Sequence, residues 1–199
     1  MKLAFDIGAN VGTKTTELLN AGYDRVIAVE PLYDNPFPTD DRVVWIKTLV
    51  SDSLMDRKIY PGGTLSTVER SWMEGRFKNH KWQEPITMPA TTLRHLMQEF
   101  GVPDYIKIDV ESHEYPVLCG LSPKAKVPMI SFEFASECRE AAFDCIDLLF
   151  DMGYGQFGIQ LNADCYAPPG FNGVENALIS LGRAITDLPE IWGQVWARI

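Results

Sequence analysis

The sequence predicts an α/β protein built on an open, doubly wound sheet. Two observations support this prediction. Short apolar segments that read as strands alternate with segments of helical period along most of the chain, which is the pattern of right-handed β-α-β crossovers. The strand segments are continuous runs rich in Val and Ile rather than polar–apolar alternations, as expected for parallel strands covered on both faces.

The first quarter of the chain predicts three strands and one helix. Residues 3–7 form an apolar strand, and the segment TKTTELLNAG predicts a helix that ends at Gly22. RVIAVEP, residues 25–31, is a second buried strand that stops at a proline. RVVWIKTLV, residues 42–50, predicts a third strand.

Residues 51–92 have no steady period and are interrupted by glycine and proline. We expect a partly extended excursion with a short helix near residues 68–76. Its basic and aromatic part is RSWMEGRFKNHKW. This part is either a solvated face whose aromatic rings cover the core or a lid that binds a substrate, since variable excursions commonly carry specificity. In the lid interpretation an acidic or glycosyl substrate contacts cations from Arg70, Arg76, Lys78 or Lys81.

Regular elements return near Thr91, where TTLRHLMQEFG predicts a helix capped by Thr91 or Thr92 and ended by Gly101. The later segments are, in order, a strand DYIKIDVE, a short helix at 115–119, a strand PMISFEF, a helix at 137–150, and a closing pair of strands YGQFGIQL and NALISLG. No linker or repeat divides the chain, so we expect residues 1–199 to form one domain.

Composition excludes several classes of function. The net charge of −9 argues against a nucleic-acid partner, which needs clustered Lys and Arg. No run reaches the ~18 apolar residues of a membrane span, and Asp6 and Gly8 interrupt the first apolar run too early for an export signal. The cysteines form no C-x-x-C pair, which indicates reduced thiols in a cytoplasm; they are Cys119, Cys138, Cys145 and Cys165.

The segment DIGANVG joins the first strand to the first helix. Gly8 permits a sharp turn, and Gly12 permits close approach without a Cβ. Asn10 is the kind of non-glycine residue that tolerates a left-handed conformation, and the helix beyond offers free amide donors. The turn therefore predicts a cradle for the polar tail of a nucleotide-like ligand, with a ligand-free structural turn as the alternative.

An acid at the end of the second strand points to the ligand class. Glu30 lies 22 residues after Gly8, where a carboxylate can accept hydrogen bonds from both ribose hydroxyls. The dinucleotide pattern G-x-G-x-x-G is absent, and Asp6 would repel a pyrophosphate but suit an ammonium group. These features favour S-adenosylmethionine over NAD.

The chain carries, in order from about residue 5 to residue 134, the segments FDIGANVG, VIAVEP, TTL, DYIKIDVESHEYPVLCGL and ISFEF. Together they resemble the FkbM-type family of class I S-adenosylmethionine-dependent methyltransferases. The resemblance implies a Rossmann-like, mostly parallel seven-stranded sheet whose last strand is antiparallel, and methyl transfer to oxygen. It implies that the methionine part is held by Asp6, Gly8, Asn10 and Gly12, and the ribose by Glu30, with Asp52 near the adenine edge. Many relatives have glycine where this chain has Ser112.

Three carboxylates are expected to converge near the transferred methyl group. The strand period puts Lys107, Asp109 and Glu111 on one side of DYIKIDVE, and Glu133 ends the next strand at the same height. Such carboxylates cannot all ionise cheaply at close range. Either one with a raised pKa or His113 could act as general base; the alternative roles are a helix cap or a partner for Lys107. A divalent metal held by the three acids is compatible with the ligand type but is not required.

The sequence thus predicts a cytoplasmic methyltransferase that uses S-adenosylmethionine and methylates a hydroxyl of a small molecule or glycan. Asp109, Glu111, His113 and Glu133 are its candidate catalytic residues. One alternative is a module that binds the cofactor or its demethylated product without turnover, which the lack of helices before residue 3 would favour; another is an NAD-linked oxidoreductase. A homodimer that completes the site is an expectation that the sequence leaves open.

Overall fold

The computed structural model describes residues 1–74, 77–162, 168–188 and 190–199. Arg76, a candidate lid cation, and Cys165 lie outside these residues. The strands in chain order are β1 Leu3–Ile7, β2 Arg25–Val29, β3 Val43–Ile46, β4 Leu49–Val50, β5 Arg57–Ile59, β6 Ile86–Met88, β7 Ala90–Thr91, β8 Tyr105–Ile108, β9 Met129–Ala135, β10 Gln156–Leu161 and β11 Trp192–Arg198. The α-helices are α1 Thr13–Asn20, α2 Leu93–Phe100, α3 Glu114–Cys119, α4 Arg139–Asp151 and α5 Val174–Asp187.

Seven of these strands form one sheet in the order β10-β11-β9-β8-β1-β2-β3. The pairs among β9, β8, β1, β2 and β3 are parallel, and β11 is antiparallel to both of its neighbours. The predicted doubly wound, mostly parallel sheet is therefore confirmed, including its antiparallel last strand. The carboxyl ends of β1, β2, β8 and β9 meet at one edge, which is where such sheets bind ligands.

Strand alternation divides the core into two faces. Phe5 and Ile7 of β1 pack with the buried residues of α2, α3, α4 and α5, whereas Ala4 packs with those of α1. Burying each such large apolar side chain contributes about 1.5–3 kcal/mol. Asp6 and Lys107, paired in register between β1 and β8, alternate with these apolar residues and so lie on the α1 face. Two charged groups are thereby built into the sheet itself.

The predicted strand over residues 42–50 is wrong in its length, because the chain leaves the main sheet after Ile46. Lys47 and Thr48 intervene, and β4 pairs instead with β7 in a separate two-stranded sheet. The pairing of β3 with β2 ends where Ile46 meets Val29. Beyond that point no residue of β3 pairs with β2. Leu49 and Val50 of β4 pair instead with Ala90 and Thr91 of β7.

The predicted closing pair of strands is half wrong. YGQFGIQL contains β10, but NALISLG lies inside α5, and the second strand of the pair is β11. The buried residues Ala177, Leu181 and Ala184 are spaced by four and three positions, which is a helical period. The short apolar run NALISL is ambiguous between helix and strand by itself, and the helical alternative is the one that covers the sheet.

The excursion over residues 51–92 is partly extended, as predicted. β5 and β6 pair antiparallel, and the helix expected near residues 68–76 is a 3₁₀ helix at Arg70–Met73. The Thr67 hydroxyl donates to the Glu111 carbonyl over 2.6 Å, so this segment is fastened to the loop after β8. The described helices also include none with the length and apolar character needed to cross a bilayer.

Candidate active site

The glycine turn after β1 is fixed by the chain around it. Gly8 has φ +76°, and a Cβ at this position would lie 1.8 Å from the backbone oxygen of Asp109. Gly12, at the N-cap of α1, has φ +84°, and its Cβ would lie 2.5 Å from the ring of Phe37. Asn10 has φ 52°, the left-handed conformation predicted for it. Both glycines are therefore required by contacts within the protein.

A cavity of about 720 Å³ opens at the carboxyl edge of the sheet. Gly8, Asn10 and Glu30 line it, and so do all four candidate catalytic residues. Three candidate cofactor residues do not line it, namely Asp6, Gly12 and Asp52. The side chain of Asp52 is engaged by Ser51, Ser53 and Arg57.

Glu30 is held by main-chain donors at the end of β2. Its side chain accepts hydrogen bonds from the backbone N–H groups of Asn10 (3.0 Å), Leu32 (2.7 Å) and Tyr33 (3.3 Å). The residue is 6% exposed. Because a carboxylate offers about four lone-pair sites, these three bonds orient the group and leave it able to accept from a ligand hydroxyl.

Asp6 and Lys107 form a buried ion pair beneath the turn. The Asp6 carboxylate accepts a hydrogen bond from the Thr15 hydroxyl over 2.6 Å. The Lys107 ammonium lies 3.4 Å from Asp6 and 3.4 Å from Asp109, and donates to the backbone oxygen of Gly8 over 2.9 Å. Burial alone would lower the pKa of Lys107, but the carboxylates of Asp109, Asp6 and Glu133 outweigh it and raise that pKa above its ordinary value.

The three predicted acids do converge, although by a different route from strand alternation. β8 ends at Ile108, and the chain then turns through Glu111 at φ 54° and Ser112 at φ 80°. Oxygens of Asp109, Glu111 and Glu133 all lie within 4.8 Å of one another. Oxygen ligands at this spacing also suit Mg²⁺ or Ca²⁺, so the divalent-metal alternative stays a prediction.

Glu133 is the carboxyl group whose proton affinity the site changes most clearly. Burial raises the pKa of Glu133 well above its ordinary value, and repulsion from Asp109, Glu111 and Glu114 raises it further. Glu114 lies behind the cluster and accepts the backbone N–H of Val110 over 2.9 Å. Burial raises the pKa of Glu114 to about 8. Burial and repulsion among the acids therefore favour the protonated forms of Glu133 and Glu114 more than in an exposed glutamate.

His113 lines the cavity, but both of its ring nitrogens have partners. Nε2 lies 2.9 Å from the Ser51 hydroxyl, and Nδ1 lies 2.5 Å from the Glu69 carboxylate. His113 is 4% exposed. To accept a proton from an acceptor, His113 would have to give up one of these bonds. Its observed contacts instead fasten Glu69, and with it the excursion, to the start of α3.

Ser112 provides a direct test of backbone strain at the site. A left-handed conformation costs a non-glycine residue about 1–2 kcal/mol. Glycine would avoid this cost, but the greater conformational freedom of glycine in the unfolded chain would offset part of the gain in stability. We expect Ser112→Gly to raise the free energy of unfolding by about 0.5–1 kcal/mol in urea denaturation. Ser122→Gly, where φ is not positive, is the matched control and should be destabilising. A destabilised Ser112→Gly would show that the 2.6 Å contact from the Ser112 hydroxyl to the Cys138 sulfur outweighs the strain.

Several cavity residues were not anticipated from the sequence. Lys14 follows the glycine turn, and its position in the first helical turn was the available signal. Trp72 belongs to the basic and aromatic segment that the sequence marks as a candidate lid, whereas Leu65 precedes that segment. The remaining residues come from β11, which the strand prediction missed; they are Trp192, Gln194 and Trp196. Trp72, Trp192 and Trp196 add aromatic side chains to the lining of the cavity.

Comparison with known proteins gives a consistent result. A family model described as the methyltransferase FkbM domain matches residues 6–154. No curated protein matches the sequence. A solved structure of methyltransferase FkbM from Methylobacillus flagellatus KT is similar in fold, with a TM-score of 0.54, 13% identity and 98% of this chain covered; the chain spans 43% of that protein.

Two further structures are less similar. A SAM dependent methyltransferase from Archaeoglobus fulgidus has 12% identity and a TM-score of 0.47, with 100% of this chain and 86% of that chain covered. A putative hemolysin from Lactococcus lactis has 13% identity and a TM-score of 0.47, with 99% and 77% covered. At these identities the structural likenesses concern the fold alone.

Proposed function

The chain belongs to the methyltransferase FkbM domain family, and we propose that it transfers a methyl group from S-adenosylmethionine to a hydroxyl oxygen of a small molecule or glycan. One observation carries the proposal. The same cavity is lined by the glycine turn and Glu30 and by the three converging acids that follow β8 and end β9. Binding groups for a nucleoside and groups able to accept a proton thus face one space.

The residues present fit this cofactor. The Asn10 side-chain oxygen is buried and has no hydrogen-bond partner among the described residues, so it can accept from an ammonium group. Glu30, oriented by three N–H groups, can accept from ribose hydroxyls. Leu49 and Val50 supply apolar lining. The cavity volume of about 720 Å³ lies within the range of small-molecule sites.

The proton-transfer step is assigned to Glu133. Bound S-adenosylmethionine would supply an electrophilic methyl group on its sulfonium sulfur. Glu133 takes the proton of the acceptor hydroxyl as the oxygen attacks, because a carboxylate with a raised pKa is a stronger base than an ordinary one. Asp109, which Lys107 holds at 3.4 Å, has a carboxylate oxygen within 4.8 Å of a Glu133 oxygen and orients Glu133 in this scheme.

The excursion is assigned to acceptor binding and water exclusion. Leu65, Val68 and Trp72 line the cavity, and Glu69 and Thr67 fasten the segment to His113 and to the Glu111 carbonyl. Aromatic lining with a few polar groups suits a ring-containing acceptor such as a sugar or an aromatic alcohol. His113 has a positioning role in this scheme, since it couples the excursion to the acidic loop.

Calorimetric titration with S-adenosylhomocysteine tests the cofactor assignment, with NAD as the negative control. We expect binding of the first ligand only. Glu30→Ala should weaken it about 10–100-fold, because a charge-assisted hydrogen bond is lost. Glu99→Ala, which removes an exposed acid outside the cavity, should leave the affinity unchanged. Equal affinity of Glu30→Ala and the parent protein would contradict the ribose assignment, and absence of binding by the parent would contradict the cofactor.

A further inference from the structure

The tryptophans of the chain differ in whether their indole N–H groups have hydrogen-bond partners. Of the five tryptophans, Trp45 and Trp82 donate from Nε1 to backbone oxygens over 3.3 Å and 3.2 Å, and neither lines the cavity. Trp72 and Trp196 both line it, and their Nε1 atoms are buried with no hydrogen-bond partner among the described residues. Because a buried indole N–H usually finds a partner, these two donors indicate that a ligand supplies the acceptors.

Trp196 belongs to a row of β11 side chains beside Glu133. Gln194 pairs with Glu133 in the antiparallel register. Trp196 pairs with Ser131, two residues earlier on β9, and its ring stacks on that of Tyr105 with centroids 5.5 Å apart. Alternate residues of a strand share a face, so Trp196 is a diagonal neighbour of Glu133, at about 7–8 Å, within reach of an aromatic side chain. A ring-sized ligand at Glu133 is therefore close to the Trp196 indole as well.

Trp72 reaches Glu133 from the excursion. It lies in the 3₁₀ helix Arg70–Met73 and is 4% exposed, and its ring packs on Phe77 with centroids 4.7 Å apart. A second, much smaller void of about 10 Å³ also has both Trp72 and Glu133 in its lining, so the two residues are neighbours. An indole donor without a partner among the described residues thus lies beside the group to which we assign the acceptor's proton.

The charges at this end of the cavity argue against an anionic acceptor. Asp109, Glu111 and Glu133 converge there, and like charges at close range repel. Lys107 also lines the cavity, but its ammonium already lies between Asp6 and Asp109. The lid cations expected from the sequence, where described, do not line it; they are Arg70, Lys78 and Lys81. The two indole donors therefore suit uncharged oxygens, such as hydroxyls, better than a carboxylate or a phosphate.

We propose that the indole N–H groups of Trp72 and Trp196 donate to oxygens of the acceptor other than the one that is methylated, and so select an uncharged polyol over an alcohol with one hydroxyl. The inference rests on the proposed function, since it presumes an acceptor hydroxyl that faces Glu133. A monohydric alcohol would leave both donors buried without partners, which weakens binding, whereas a polyol supplies an acceptor to each. Hydrogen bonds that the wrong substrate cannot complete discriminate more strongly than apolar contacts do.

The indole signals in proton–nitrogen correlation spectra test the inference directly. Protein labelled with ¹⁵N-tryptophan is saturated with S-adenosylhomocysteine, and myo-inositol or cyclohexanol is added; the two probes share a six-membered carbon ring and differ in their hydroxyls. We expect myo-inositol to bind more tightly, to shift the signals of Trp72 and Trp196, and to leave those of Trp45 and Trp82 in place. D-glucuronate should bind more weakly than D-glucose, because the acids of the cavity repel its carboxylate.

Substitutions by phenylalanine remove each donor but keep an aromatic ring. Trp72→Phe should weaken myo-inositol binding about 3–10-fold, as expected for one lost hydrogen bond, and change cyclohexanol binding by less than about two-fold. Trp196→Phe should have the same effect. Trp45→Phe is the matched control, because it removes an indole that lies outside the cavity, and it should change neither affinity.

The other outcomes separate this inference from the proposed function. Unmoved Trp72 and Trp196 signals, or equal affinity for the two ring probes, in a protein that binds S-adenosylhomocysteine would overturn the inference alone. Tighter binding of D-glucuronate than of D-glucose would overturn the selection of an uncharged acceptor. Absence of S-adenosylhomocysteine binding by the parent protein would overturn the proposed function and this inference with it. Thermal unfolding midpoints of both variants are measured, so that a folding defect in one leaves the other to decide.

Discussion

Glu133→Gln is expected to lower kcat by about 10²–10⁴-fold, the usual contribution of a general base, and to leave the affinity for S-adenosylhomocysteine nearly unchanged. Glutamine keeps the shape of the side chain but cannot accept the acceptor's proton. Release of S-adenosylhomocysteine from S-adenosylmethionine and a hydroxyl acceptor is the measurement. Glu140→Gln, an exposed acid on α4 outside the cavity, is the matched control and should keep full activity.

The pH dependence gives an independent check on this residue. A base must be deprotonated to act, so kcat should fall as the pH is lowered through the pKa of Glu133. Because burial and the neighbouring acids raise that pKa, the fall should occur above the ordinary glutamate value of about 4.3. Asp109→Asn should also slow transfer, since it removes a group that orients Glu133. Full activity of both variants would remove the acid cluster from the mechanism.

Lys107→Met is expected to be the most destabilising of the substitutions considered, by about 3–5 kcal/mol, because breaking a buried ion pair leaves uncompensated charge. Lys107 lies between the carboxylates of Asp6 and Asp109, and both would lose their cation. Urea denaturation at pH 7 measures the effect. Lys47→Met breaks the exposed pair with Asp34 and should have little effect, which provides the control for loss of a lysine as such.

The sign of the pH effect follows from the charges. The pKa of Lys107 is raised in the folded state, so its stabilisation is complete below the ordinary lysine pKa and is fully present at pH 7. The difference in unfolding free energy between the parent protein and the variant should therefore be constant around pH 7 and shrink as the pH rises above the ordinary lysine pKa of about 10.4. A difference that is independent of pH would mean that lost packing, rather than lost charge, causes the destabilisation.

Local signals in the sequence were sufficient for the elements that position the site. Val and Ile runs predicted the buried parallel strands, and the glycines with Asn10 predicted a turn whose left-handed φ values are observed. These local signals gave a wrong prediction where a short apolar run is compatible with both the strand period and the helical period. NALISLG lies in a helix, and β11 was missed, because periodicity cannot distinguish a short buried strand from one side of a helix.

The sequence by itself determined the buried parallel strands, the left-handed turn before α1 and the convergence of three acids from neighbouring strands. These depend on interactions between residues close in the chain, or on the rule that parallel strands end at one edge. Tertiary structure alone decided that Lys107 joins Asp6 to Asp109, that His113 engages Ser51 and Glu69, and that Lys14 is buried at the cavity. Those contacts join residues distant in sequence or depend on burial, and the electrostatic effect of a charged group depends on what surrounds it after folding.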